Sequence, residues 1–244
     1  MKNYYFIDPL IPLIPDDKYF IYDDLSDDIK QKFAKYLLGS KPIIILIGGP
    51  SSVGKSSLAI ELARIFGIRT IICTDTVRYT LESCYNKPNL YSYFSNECWK
   101  IISKDFSENA LIEGFTCQCN ALFDSIYSIC EYSIRHKQNT IIEGVHLIPK
   151  VIERLRKNEL ANYIILYLFA PYSSIVNCLL PMRVNSTYRH RPLIGYQERL
   201  PHYRIFLDWW MKQIKKNNFN YINNNCEKNK LVANAVDEVL TQMI

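Results

Sequence analysis

Residues 48–57 read GGPSSVGKSS and contain G-x-x-x-x-G-K-S through Gly49, Gly54, Lys55 and Ser56. This is the pattern of a phosphate-binding loop. Glycines let backbone N–H groups turn toward phosphate oxygens without a Cβ in the way. A helix that starts here aims its positive end at the same anion. Lys55 is expected to reach the β- and γ-phosphates, and Ser56 to offer its hydroxyl to Mg²⁺. The intervening Pro50, Ser51, Ser52 and Val53, with Ser57 after them, complete the expected ATP cradle.

Three further groups of polar residues could act with such a loop. In TIIEGVHLIP, an apolar run stops at Glu143, and His146 follows three residues on. A carboxylate at the end of a strand beside the loop can hold Mg²⁺, directly or through water. In TDTVR, Asp75 is placed to accept a proton from an attacking hydroxyl. Capping of the next helix is its rival role. Arg78, one turn further, could bind an acidic group of an acceptor. In PMRVNSTYRHRP, Arg183, Arg189 and Arg191 could close over the site as a flap. There their guanidiniums would clamp transferring phosphate oxygens.

These residues need a scaffold that gathers them. KPIIILIGG, IRTIICTD, TIIEG and YIILYLFA read as buried strands, and FNYIN as a fifth. Leu58, Leu62, Ile65 and Phe66 have helical spacing with Gly67 as a stop, and Leu122, Ile126, Ile129 and Ile134 have it again. Strands alternating with helices predict βαβ units and a parallel sheet with ligands at the strands' carboxyl ends. The expected fold is thus α/β, a P-loop three-layer sandwich with a mostly parallel sheet of about five strands, similar to nucleoside monophosphate kinases. Residues 41–244 should form that domain. Residues 1–40 should be an extension with one helix over SDDIKQKFAKYLLG, capped by Ser26. NALIEGF and NTIIEGV, thirty residues apart, are too few copies for a repeat protein and read as chance or as two loops facing one cleft.

Composition narrows the class. The 244 residues, 48% apolar with a formal charge of +5, suit a globular chain that handles small anions. The charge is too diffuse to argue for a nucleic-acid binder. Eight cysteines show no C-x-x-C pair and are expected as reduced thiols in the cytoplasm. No run is long enough to span a bilayer, so no membrane partner is expected. NKPN at 86–89 lacks the aspartate of a guanine-reading motif, which argues against a GTP switch.

GGPSSVGKSSLAIELARIFGIRTIICTDTVR, then LIEGFTCQ, then TIIEGVHLIP, in this order, resemble the 2-phosphoglycerate kinase family of P-loop proteins. The resemblance runs from about Pro42 to Asn225. It implies ATP binding by Gly49 to Ser56, and an acceptor site that includes Asp75 and Arg78. It implies that Glu143 and His146 line the same cleft, and Gln118 matches a family segment that opens the next helix. The chain departs from the family where LDWWMKQI puts tryptophans and a lysine in place of an arginine, and at Glu113.

The expected activity is therefore ATP- and Mg²⁺-dependent phosphoryl transfer to a hydroxyl of a small anionic acceptor. Lys55, Asp75, Arg183 and Arg189 are expected to be catalytic. Arg78, Gln118, His146 and Arg191 would bind the acceptor, and Ser56 and Glu143 the metal. Two alternatives remain: a P-loop kinase acting on a nucleic acid or another phosphorylated metabolite, and a nucleotide-binding regulator without catalysis.

Overall fold

A computed structural model describes residues 41–85, 89–179, 181 and 200–243. Five parallel strands form one sheet: β1 (Ile43–Gly48), β2 (Thr70–Cys73), β3 (Thr140–Gly144), β4 (Asn162–Phe169) and β5 (Ile222–Asn223). Their spatial order is β2-β3-β1-β4-β5. The main helices are α1 (Lys55–Ile65), α2 (Thr74–Ser83), α3 (Glu108–Arg135), α4 (Pro149–Leu155), α5 (Leu200–Lys216) and α6 (Lys228–Gln242).

The β1-to-β2 connection crosses the sheet in the opposite direction from those that follow. Right-handed crossovers therefore put α1 on the opposite face from the helices after β2 and β3. The core divides accordingly. Ile43, Ile45 and Ile47 pack with Leu58 and Leu62 of α1 and with α6 residues such as Val232 and Val239. Ile44 and Leu46, on the alternate face, pack with Leu111, Phe115 and Leu122 of α3 and with Val151 and Ile152 of α4. This period of two, with both faces apolar, is why the central strands read as unbroken isoleucine runs.

Helix α1 ends as its sequence predicts. Gly67 adopts a left-handed conformation (φ 63°), so that Ile68 N–H can return to the Ala63 carbonyl at 2.8 Å.

Three expectations change. β2 is an edge strand, not a buried one, and Ile71 is 38% exposed. An apolar run cannot report how many neighbours a strand has. Helix α3 begins at Glu108, well before the Leu122 stripe, and is 28 residues long. Ser107 caps it, its Oγ accepting from Ala110 N–H at 3.1 Å. Gln118 therefore sits within that helix instead of opening it. NALIEGF is accordingly helical while NTIIEGV enters β3, which leaves chance as the account of their likeness. The expected N-terminal helix and the extension at 1–40 lie outside the described residues.

Gly114 marks a close crossing in α3. A Cβ there would overlap the Cys98 carbonyl oxygen. Gly→Ala in a helix gains about 1 kcal/mol of propensity. Overpacking against backbone costs about 1–3 kcal/mol or more, and that effect wins here. Gly114→Ala is expected to lower stability by about 1–2 kcal/mol. A denaturation midpoint equal to or above wild type would show that the crossing relaxes freely.

Candidate active site

Strand register brings the polar residues to one edge. Gly48 pairs with Gly144, Ile47 with Glu143, and Cys73 with Glu143 from the other side. The ends of β1, β2 and β3 are therefore level, and each continues into a polar segment.

The loop after β1 is built from unusual backbone. Gly49 (φ 138°), Ser52 (φ 62°) and Gly54 (φ 99°) all have positive φ. Gly54 is the residue before α1, and no side chain caps that helix. Its first-turn N–H groups thus face the loop's hollow with the helix's positive end behind them. Lys55 is buried, and its Nζ donates to the Pro50 carbonyl at 2.6 Å, holding the ammonium under the loop. Asn224, just after β5, donates to the Val53 carbonyl at 2.9 Å and ties the far side of the loop to the sheet.

Beneath the loop, Ser56 Oγ donates to Glu143 Oε1 at 2.8 Å. Glu143 is only 4% exposed. A hydroxyl and a carboxylate this close are hard oxygen donors of the kind Mg²⁺ takes with water and phosphate oxygens. Among the described residues, no group of three or more His, Cys, Asp or Glu side chains could hold a metal by itself. Cys73 lies against the same carboxylate. Burial, then the charges of Glu143 and Asp75, push its thiol up to about 11.

Asp75 occupies the first turn of α2 and makes no capping hydrogen bond, so the capping role is not the one seen. Its side chain is 55% exposed, with Oδ1 3.7 Å from Arg78 Nε. Arg78 is buried instead, against expectation for a group that reaches out to a ligand. Its Nη1 donates to Glu82 Oε2 at 3.3 Å and to the Tyr91 carbonyl. Its Nε has no hydrogen-bond partner among the described residues.

Gln118 and His146 are fully buried below this edge. Gln118 Nε2 donates to the carbonyls of Leu90 (2.6 Å) and Tyr93 (2.9 Å), so its Oε1 must accept. His146 Nε2 lies 3.1 Å from that Oε1 and therefore carries the ring proton. Nδ1 is left to accept from Thr74 Oγ1 at 2.9 Å. Thr74 and Cys73 are site residues that motif reading missed, because neither type announces chemistry. The cue for Thr74 was its place directly before Asp75.

A small cavity adjoins the loop at Pro50 and Ser51. It runs past Ser95 and Asn96 to Tyr203 and Trp210. Trp210, where the resembling family has an arginine nearby, is fully buried, and its Nε1 has no hydrogen-bond partner among the described residues. Arg183, Arg189 and Arg191 lie outside the described residues.

No family model matches the chain. Among curated proteins, the 2-phosphoglycerate kinase of Methanocaldococcus jannaschii is 28% identical over 212 residues, 84% of this chain and 67% of that protein. The enzyme of the same name from Pyrococcus horikoshii is 29% identical over 83% of this chain and 66% of its own length. That from Pyrococcus furiosus is 37% identical over 114 residues, 46% of this chain and 38% of its own. The chain is thus similar to 2-phosphoglycerate kinases. It matches about two thirds of the length of the first two and well under half of the third. Among solved structures, a shikimate kinase from Acinetobacter baumannii aligns with 82% of the chain and 92% of its own at 16% identity and a TM-score of 0.46. No helix among the described residues is long and apolar enough to cross a membrane.

Burial pushes the His146 pKa down to about 4; Asp75 opposes this, while Arg78 and Lys55 add to it. The folded state therefore binds fewer protons than the unfolded one between pH 6.5 and about 4. Stability from this site is complete above pH 6.5 and is lost as pH falls through that window. A shift of this size corresponds to about 3 kcal/mol. In urea titrations at several pH values, His146→Asn should show a flatter pH dependence than wild type across that window. Parallel curves would mean that the ring is hydrated.

Proposed function

We propose that the chain is an ATP-dependent kinase that phosphorylates a hydroxyl of a small phosphorylated acid, with 2-phosphoglycerate as the first candidate. The observation that carries this reading is the 2.8 Å contact between Ser56, at the start of α1, and Glu143, at the end of the adjacent strand. It brings two oxygen donors together beside a loop whose backbone has positive φ at Gly49, Ser52 and Gly54. The kinship with 2-phosphoglycerate kinases supports the choice of acceptor.

In this reading the backbone from Gly49 to Ser57 wraps the phosphates, and Lys55 leaves the Pro50 carbonyl to pair with their oxygens. Ser56 and Glu143 would hold Mg²⁺, which neutralises charge on the phosphates when bound. Asp75, the exposed carboxylate at the end of β2, accepts the proton from the attacking acceptor hydroxyl. The oxygen attacks the terminal phosphorus, the bond to the bridging oxygen breaks, and ADP leaves. Arg78, with Arg183, Arg189 and Arg191, supplies positive charge for the acceptor's anionic groups. Eight unbridged cysteines suit a reducing compartment such as the cytosol, where ATP is available.

ADP release from ATP and Mg²⁺ should rise on adding 2-phosphoglycerate, with a doubly phosphorylated product in the mass spectrum. Lys55→Ala should lower kcat by about 100-fold or more. Equal turnover in the folded variant would sink the mechanism. Retained ATP binding with no stimulation by 2-phosphoglycerate would discard that acceptor alone.

A further inference from the structure

The three fully buried polar residues below the site form a single chain. Thr74 O–H donates to His146 Nδ1, His146 Nε2–H donates to Gln118 Oε1, and the Gln118 amide donates to the carbonyls of Leu90 and Tyr93. Cys98 adds its thiol to the same Gln118 oxygen at 3.4 Å. Every link has its donor direction fixed by the two carbonyls at the far end.

The two ends of this chain are what matter. Thr74 is the first residue of α2 and directly precedes Asp75. It also lies so close to β3 that a Cβ at Gly144 would overlap its Oγ1. At the other end, the segment after Tyr93 leads within two residues into Ser95 and Asn96, which line the cavity beside Pro50 and Ser51. Arg78 grips the same segment through the Tyr91 carbonyl.

We propose that Thr74 is a positioning residue for phosphoryl transfer: through His146 and Gln118 its hydroxyl sets Asp75 in register with the Ser95–Asn96 wall of the cavity beside Pro50 and Ser51. The proposal rests on the kinase reading for the role of Asp75. It explains why T-D and E-G-V-H stand together in one chain. Gly144 makes room for the threonine, and His146 Nδ1 accepts its hydrogen bond. Neither Thr74 nor His146 needs to touch substrate for this.

Thr74→Val removes the hydroxyl at nearly constant volume, and Thr74→Ser restores it. Amide hydrogen exchange over residues 89–97 tests the link without any substrate. Exchange there is expected to quicken about tenfold in Thr74→Val and to return toward wild type in Thr74→Ser. With 2-phosphoglycerate and ATP, the acceptor KM should rise about tenfold in Thr74→Val, with the ATP KM within about twofold. Unchanged exchange in Thr74→Val, or equal effects of valine and serine, would overturn the proposal. Should wild type not turn over 2-phosphoglycerate, the kinase reading loses its acceptor while the exchange result still decides whether Thr74 holds the wall.

Discussion

The rest of the site depends on the level ending of β1, β3 and β2. Parallel pairing places Glu143 between Ile47 and Cys73. A slip of one residue would turn the carboxylate to the other face of the sheet, into the apolar layer. Burying an unpaired carboxylate there costs several kcal/mol, far more than a strand pair contributes. The isoleucines of β1 and β3 enforce the register from below, since both faces of each strand must meet apolar partners. Core packing thus sets the 2.8 Å meeting of Ser56 and Glu143.

Two opposite electrostatic arrangements share this edge. Around the loop after β1, α1 has no side-chain cap, and Lys55 Nζ donates to the Pro50 carbonyl of the loop. A few ångströms beneath, Thr74, His146 and Gln118 are withdrawn from water and saturated by one another. A buried polar group without partners costs about 1–3 kcal/mol, so such a chain is stable only when complete. Completeness also fixes the histidine as neutral with one tautomer. Its proton is held within that chain of hydrogen bonds, while the carboxylate of the neighbouring Asp75 is exposed.

Aromatic residues of α5, Tyr203, Phe206 and Trp210, line the cavity beside the loop. Trp210 fills the core against Tyr167, and Phe206 packs edge-on against Phe115 of α3. His202 Nδ1 lies 3.0 Å from the Asn96 carbonyl, to which it donates, and its ring stacks on Phe106 at 4.4 Å. The start of α5 is therefore fastened to the Ser95–Asn96 turn, and Gln118 holds the segment just before it at the Leu90 and Tyr93 carbonyls. Two independent elements converge on one wall of the cavity.

The sequence by itself determined the phosphate loop, because its glycines and lysine act through the local backbone and their spacing is the chemistry. It also determined the α/β fold, five strands and the stop of α1 at Gly67, all consequences of local periodicity and backbone freedom. It placed Asp75, Glu143 and Ser56 at strand and helix ends. Only the tertiary structure decided what those ends meet. β2 is an edge because strand order is set by crossovers, and a helix of 28 residues hid behind a stripe that was legible over half its length. Residue type suggested that Arg78, Gln118 and His146 face a ligand. Gln118 and His146 are held inside the fold by hydrogen bonds to residues 25 to 72 positions away, and Arg78 is buried with its Nη1 on the Tyr91 carbonyl 13 positions on. Contacts across such separations leave no periodic trace in a chain, and so no local reading could supply them.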